Sequence, residues 1–302
     1  MEKRLTHTHC PVCASTQIVT LFVCKDYTVS GEEFTIQQCQ QCYTAFTQNA
    51  PTASTIGNYY QSENYISHSN TRKGLINKVY HVARGFMLKQ KKALVEKITQ
   101  KTNGKLLDIG CGTGYFLNQM QDTWQTIGIE TDPKARSFAQ NQFNLQVFPP
   151  EDLAQLTEKT FDVISLWHVL EHLHDLEQTW KSFDLLLKTD GVLFIAVPNY
   201  TSVDAQHYGA AWAAWDVPRH LWHFSPNSIS FLAKKYNFEV VAQRTMPLDS
   251  FYVSLLTERY KGNPLALLSG FWQGFRSWLA ALVVTNRSSS VIYILKRSTV
   301  KT

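Results

Sequence analysis

Three groups of residues have types and spacings that could do chemistry. Cys10, Cys13, Cys39 and Cys42 form two Cys-x-x-Cys pairs with 25 residues between them. Four thiolates in that pattern complete a tetrahedral zinc site. With every ligand position closed, such a metal is structural rather than catalytic. The second group is the stretch LLDIGCGTGYF at Leu106–Phe116, an apolar run followed by Gly110, Gly112 and Gly114. Bare backbone lets a ligand approach closely, and a helix starting there offers unsatisfied N–H groups. Glu130 follows about twenty residues after the first glycine, where a carboxylate can accept two sugar hydroxyls. The third group is rich in histidine. WHVLEHLHD runs from Trp167 to Asp175, and WAAWDVPRHLWHFSP, from Trp212 to Pro226, holds His220 and His223 three apart. Imidazole titrates near working pH and suits proton transfer. If the second segment is helical, its two histidines share a face.

The glycine loop excludes some ligands. A nucleotide triphosphate loop ends Gly-Lys-Ser/Thr, whereas this one ends Thr-Gly-Tyr. A dinucleotide fingerprint is nearer, but the third glycine comes one residue early for G-x-G-x-x-G.

These residues need elements to position them, and strand and helix patterns alternate from Lys105 onward. KLLDIG reads as a strand and YFLNQMQ as the start of a helix. QTIGIE is a strand, and Asp132-Pro133 caps the next helix. LQVFP and FDVISLW are strands, DLEQTWKSFDLLLK is an amphipathic helix that Gly191 is expected to end, and VLFIAVP is a strand buried on both faces. Ser225-Pro226 starts a further helix, and FEVVAQRT and VIYILKR close the chain as strands. This order implies an α/β fold with a doubly wound, mainly parallel sheet. Ligands of such sheets lie beyond the C-terminal strand ends, where strand order reverses. Three zones result: residues 1–50 as a zinc-ribbon-like module with four cysteine ligands, 51–103 as a helical cover, and 104–302 as the main domain with a helical insert at about 247–289.

Composition agrees with a folded protein. The chain has 302 residues, 44% hydrophobic and 18% charged. Its net charge of +5 is spread without a dense basic run, which argues against nucleic acid as a partner. The N-terminus lacks an apolar core of signal-peptide type, which predicts a cytoplasmic protein.

LLDIGCGTG followed by IGIETDP resembles the class I S-adenosylmethionine-dependent methyltransferases, over roughly residues 75–245. The resemblance implies a seven-stranded Rossmann-like sheet with S-adenosylmethionine across its carboxyl edge. Gly110, Cys111, Gly112 and Gly114 then pass under the methionine part, Glu130 and Thr131 meet the ribose, and Asp108 lies near the cofactor's amino group. Glu151, Asp152 and Leu153 stand where the family meets adenine. Trp167 stands beside the transferred methyl, and the Tyr-rich cover places Tyr60, Tyr65 and His68 within reach of cofactor or acceptor. VLEHL is similar to the ubiquinone-pathway O-methyltransferases, some of which hold a divalent metal here with acids and a histidine. His168 stands where they have an acid, which argues against a second metal at Glu171 and His172. Those two residues otherwise read as helix capping.

The resemblance implies methyl transfer to a small acceptor, most simply at oxygen, with His168, His220 or His223 taking a hydroxyl proton. The acceptor is quinone-like, lipid or sugar. The Trp residues near His220 could instead be packing, with Arg219 paired to Asp216. Two other classes stay open: a cofactor-binding protein without turnover whose ribbon docks a partner, and an RNA methyltransferase with the ribbon as clamp.

The insert NPLALLSGFWQGFRSWLAALVV carries an apolar stripe of Leu265, Leu268, Trp272, Phe275, Leu279 and Leu282, broadened by Leu267, Phe271 and Trp278. Arg276 in mid-run argues against a spanning helix. Residues 264–285 can therefore pack as a core helix, line an apolar acceptor pocket, or make peripheral contact with a membrane surface.

Overall fold

A computed structural model describes residues 4–61 and 75–298, the side chains of 75–83 apart. Tyr65 and His68 fall outside the described residues. The N-terminal part holds five strands: β1 (Arg4–Leu5), β2 (Ile18–Lys25), β3 (Glu33–Cys39), β4 (Ala45–Gln48) and β5 (Ala50–Pro51). A long helix, α1 (Leu75–Thr99), leads into the main domain. There follow β6 (Gly104–Ile109), α2 (Tyr115–Met120), β7 (Trp124–Ile129), α3 (Pro133–Phe143), β8 (Gln146–Phe148) and β9 (Phe161–Trp167). After these come α4 (Leu176–Leu186), β10 (Leu187–Pro198), α5 (Val203–Tyr208), β11 (Trp222–His223), α6 (Pro226–Lys235) and β12 (Phe238–Thr245). The insert forms two helices, α7 (Asp249–Tyr260) and α8 (Ala266–Val283), before β13 (Ser290–Arg297).

The main sheet has seven strands in the order β12-β13-β10-β9-β6-β7-β8. Only β13 runs against its neighbours β10 and β12; the other pairs are parallel. From β6 the chain winds outward through β7 and β8, then returns to the other side of β6 as β9. Strand order reverses there, so the loops after β6 and β9 face one crevice. Alternation along each strand fills two cores. Leu107, Ile164, Leu193 and Ile195 meet Trp180, Phe183, Ile229 and Leu232 on one face. Leu106, Val163, Phe194 and Ala196 meet Val95, Phe116, Leu117 and Met120 on the other.

Local signals account for most boundaries. The Asp132 side chain accepts from Lys134 N with Pro133 in the first turn, Asp175 accepts from Gln178 N, and Ser225 and Ser228 form a capping box. Gly191 differs from expectation. α4 passes directly into β10 at Leu187, and Gly191 lies inside that strand, at a register shift between Leu187 and Val192. A Cβ on Gly191 would come 2.7 Å from Leu187 Cγ, so the glycine is required by packing rather than by helix termination.

The N-terminal strands do not stand apart from the main domain. β2, β3 and β4 form a sheet whose fourth strand is β11, with Trp222 opposite Phe46 and His223 opposite Ala45. Cys10, Cys39, Cys42 and Phe46 share a buried cluster with Leu221, Trp222 and Phe224.

Candidate active site

The loop after β6 has Gly110, Gly112 and Gly114 at φ of +70°, +54° and +77°. A Cβ on Gly110 would sit 2.4 Å from Val169 Cγ2, and one on Gly114 2.7 Å from Leu145 Cδ1. A Cβ on Gly112 would meet nothing within 4 Å. Two of the glycines are therefore forced by neighbours, and the middle one presents bare backbone to open space. The Glu130 carboxylate closes the loop, accepting from Gly112 N at 2.7 Å and Asp132 N at 2.9 Å. A carboxylate has about four acceptor positions, so two remain for hydroxyls. Arg136 Nη1 braces this corner by donating to the carbonyls of Glu130 and Thr131, both at 2.7 Å. Cys111 N donates to Ile129 O, and the Cys111 sulfur packs against Gly128, where a Cβ would come 2.6 Å from it. Glu151, Asp152 and Leu153 lie in a short 3-10 turn, Pro150–Gln155, just after β8.

Asp108, the acid before the loop, is buried and accepts from Ser165 Oγ at 2.6 Å. Burial raises its carboxyl to about 7, against the lowering influence of Ser165 and Lys91. Lys91, from α1, has its ammonium lowered to about 8 by burial, opposed by Asp108 and Asp249. Its Nζ sits 4.3 Å from the centroid of the Trp167 ring. Sequence reasoning missed Lys91. It is one of several lysines in an ordinary helical run, and no spacing distinguishes it.

β9 ends at Trp167, and His168 turns with φ +60°, a left-handed conformation costly for a residue with a Cβ. Its Nε2 lies 3.0 Å from Asp249 Oδ2 and its Nδ1 3.4 Å from Glu171 Oε1. Burial works against a charge on the ring, yet Asp249 and then Glu171 raise its pKa to about 10. At neutral pH His168 is thus a cation clamped between two carboxylates, which does not suit the role of proton acceptor expected for it.

Glu171 is 1% exposed, and neither oxygen has a hydrogen-bond partner among the described residues; the His168 contact is an ion contact without hydrogen-bond geometry. Burial raises its pKa, but His168, His220 and His172 together hold it below the usual range. His172 Nδ1 lies 3.1 Å from both Arg219 O and the Tyr60 hydroxyl. His220 Nδ1 lies 2.9 Å from Ala214 O. A backbone carbonyl accepts only from N–H, so both rings carry a proton on Nδ1. The two rings stand edge to face, 4.6 Å apart. Burial, and then the neighbouring His220, lower His172 to about 4, so it is neutral. One donor atom from each of Glu171, His172 and His220 falls within 4.8 Å of the others. Such a set fits a divalent cation. The third donor of the set comes from His220, some fifty residues further along the chain than Glu171 and His172.

The segment from Trp212 to Pro226 is not helical around its histidines, as the shared-face reading required. Asp216 has φ +37°, the Val217–Pro218 bond is cis, and Trp222–His223 is strand β11. His220 faces the site, but His223 is buried, with Nε2 3.0 Å from Thr47 Oγ1 and its ring 4.9 Å from Trp215. Burial, and then His220, hold its pKa well below the usual value, so it stays neutral within the N-terminal sheet. The Trp residues pack inside: Trp212 donates to Asp204, Trp215 to Gly209 O and Trp222 to Leu173 O. Arg219, 1% exposed, does pair with Asp216, and it also reaches Asp26 at 2.9 Å and Tyr59 O at 2.9 Å. That pairing ties the N-terminal strands to the loop carrying His220.

At the N-terminus the sulfurs of Cys10 and Cys42, and of Cys13 and Cys39, approach to 3.5 Å, and all four lie within 4.8 Å of one another. Tetrahedral zinc with bonds of ~2.3 Å needs sulfurs ~3.8 Å apart. Val12 N and Gln41 N point at Cys10 and Cys39 sulfurs, both at 3.4 Å, and Ala14 and Tyr43 turn left-handed just after each pair. The donor set and its N–H···S support fit zinc.

Comparison with known proteins agrees with this geometry. A family described as a methyltransferase domain matches residues 81–243. A ubiquinone biosynthesis O-methyltransferase of Pelagibacter ubique is 29% identical over 175 residues, 53% of this chain and 69% of that one. One from Actinobacillus pleuropneumoniae is 36% identical over 124 residues, 35% of this chain and 53% of that one. A malonyl-[acyl-carrier protein] O-methyltransferase of Bacillus cereus is 27% identical over 120 residues, 38% of this chain and 45% of that one. The matches thus span about half to two thirds of these relatives. Among solved structures, Haemonchus contortus phosphoethanolamine N-methyltransferase 2, in complex with S-adenosyl-L-methionine, superposes with a TM-score of 0.50 at 13% identity, covering 84% of this chain and 63% of that one. With a strand-end glycine loop closed by a carboxylate, a seven-stranded sheet of this order and a family match over more than half its length, the chain belongs to the methyltransferase-domain family and is an S-adenosylmethionine-dependent enzyme.

Proposed function

We propose that the enzyme moves the cofactor's methyl group to an oxygen of a small, largely apolar acceptor. The observation that carries this reading is Glu171: a buried carboxylate, neither oxygen with a hydrogen-bond partner among the described residues, with one donor atom from each of His172 and His220 within 4.8 Å. A buried carboxylate whose oxygens accept no hydrogen bond costs free energy even beside the His168 cation, and an acceptor hydroxyl donating to it would relieve part of that cost.

The reaction is an in-line displacement. The acceptor oxygen forms a bond to the methyl carbon as the carbon–sulfur bond breaks, the sulfur keeps the electron pair, and the hydroxyl proton must leave. Most of the catalysis is positioning. The Glu171–His172–His220 group takes the proton, while His168 remains an imidazolium that Asp249 holds in place. A divalent cation, were one held by Glu171, His172 and His220, would occupy their lone pairs and instead polarise the acceptor oxygen, so that the hydroxyl proton would leave to solvent. His223 keeps the N-terminal sheet in register, and zinc at the four cysteines is structural. The O-methyltransferase names of the relatives support oxygen as the accepting atom.

The test is an organic extract of native cells incubated with the protein and 13C-methyl cofactor, read by NMR and mass spectrometry. A labelled methoxy product that Glu171→Gln reduces by at least about a hundredfold supports the reading. Label on nitrogen or carbon, or turnover unchanged in Glu171→Gln, overturns it.

A further inference from the structure

The two-helix insert is built inside out. On α8 the inward residues are Ala266, Gly270, Gln273, Gly274, Ser277 and Ala281, all small or polar. A Cβ on Gly270 would stand 2.6 Å from Leu255 Cα, and one on Gly274 2.7 Å from Phe251 Cα, so the helices touch backbone to backbone. The large apolar residues face outward: Leu268 is 70% exposed, Phe271 62%, Trp272 61% and Leu282 62%. At ~100° per residue, the outward Leu, Phe, Trp and Val positions from Leu267 to Val283 form one continuous arc of about 160°. The stripe expected as a candidate core face is therefore the exposed face. Small residues between helices and large apolar residues outside are the arrangement of helices in lipid, the reverse of a water-facing helix.

The charges point the same way. From Asp249 to Ser289 the exposed charged residues are Arg259, Lys261, Arg276 and Arg287, all basic. The two acids turn inward, Asp249 to His168 and Glu258 to Asn263. Arg276 lies at the edge of the apolar arc, where a long side chain can reach headgroups. Among the described residues no helix is long and apolar enough to cross a membrane. The hairpin is also fixed to the body: Asp204 accepts from Ser277 at 2.7 Å, from Ser289 at 2.6 Å and from Trp212 at 2.8 Å.

We infer that α7 and α8 form a membrane-surface anchor, with the outer arc of α8 lying in one leaflet of an anionic bilayer and the basic residues on its headgroups. Asp249, the first residue of the hairpin, holds His168, so the anchor begins beside the acceptor site. This link to a lipid-dissolved acceptor rests on the proposed function; the anchoring itself does not.

The experiment is flotation of the full-length protein with vesicles of phosphatidylcholine alone or with phosphatidylglycerol. The protein should float with the anionic vesicles, less so at high salt. Leu268→Glu with Phe271→Glu should lower partitioning by at least about tenfold per residue, and Arg276→Gln with Lys261→Gln by about fivefold each. These residues are solvent-facing, so the variants should keep wild-type cofactor binding and melting. No flotation at low salt of protein that binds cofactor overturns the inference. So does a stable dimer that Phe271→Glu dissociates, with vesicles left unbound, since a second copy would then cover the face.

Discussion

Replacing Gly112 by leucine separates ligand binding from folding. Nothing lies within 4 Å of a Cβ built there, so the side chain meets no protein atom near its base. The backbone at φ +54° is left-handed, which costs a non-glycine residue about 1–2 kcal/mol. Against a total stability of about 5–15 kcal/mol the variant should remain folded, with a melting temperature lower by a few degrees. The leucine would fill the space over bare backbone that the cofactor needs. If the ribose hydroxyls rest on Glu130, lifting the cofactor from the loop removes two hydrogen bonds. At about 1.5 kcal/mol or more for each bond to a charged group, affinity should fall at least about a hundredfold. Gly110→Ala provides the contrast. Its Cβ would lie 2.4 Å from Val169 Cγ2, so overpacking and backbone strain together should cost several kcal/mol and disturb the neighbouring His168. Calorimetric titration with S-adenosylhomocysteine and thermal melting read both effects. A folded Gly112→Leu protein that binds within about threefold of the native chain would refute the placement of the cofactor on this loop.

Three further outcomes follow from the same geometry. Burial raises Asp108 to about 7, so meeting the cofactor's ammonium requires loss of a proton below that pH; affinity should rise with pH up to about 7 and then level off, and Asp108→Asn should flatten the profile. By the same shift Asp108 contributes stability that is full below its ordinary 3.8 and is lost as pH rises through about 7; a flat affinity profile in the native chain would contradict the Asp108 contact. Arg219→Ala leaves Asp26 buried without its cation and should cost about 3–5 kcal/mol in urea unfolding, partly recovered by adding Asp26→Asn; a loss below about 1 kcal/mol would show that the network does not hold the two parts together. Metal analysis should find zinc at the four cysteines, and its removal should melt β2–β4 and lower turnover, because the Thr47 hydroxyl contacts His223 and donates to His220 O at 2.7 Å; full activity after complete removal would contradict that coupling.

What could be read from the sequence and what could not divide along physical lines. The strand ends, the glycine loop, Glu130 and the helix caps at Asp132, Asp175 and Ser225 depend on residues close together in the chain, where periodicity and capping chemistry act. The spacing of the four paired cysteines is similarly local. Gly191 misled because a glycine after an amphipathic helix reads as a stop, while its necessity comes from Leu187 folding back across it. The histidines could be found but not sorted. His220 and His223 differ in role because one faces Glu171 and the other is built into a sheet with residues 45–48, a pairing between distant segments that no spacing reveals. Lys91 and Asp249 reach the site in the same long-range way. The stripe on α8 reads from the sequence as one face of a helix, but a helical period does not say whether that face packs inward or stays exposed. The small residues on the opposite face decide that, and they are informative only once α7 is known to lie against them.

The most direct measurement is a crystal structure of the enzyme with S-adenosylhomocysteine. The ribose hydroxyls should lie on the Glu130 carboxylate, the amino-acid end over Gly112 and the sulfur facing Glu171, His172 and His220. A nucleoside bound away from Glu130, or a sulfur turned from the Glu171 cluster, would contradict this arrangement.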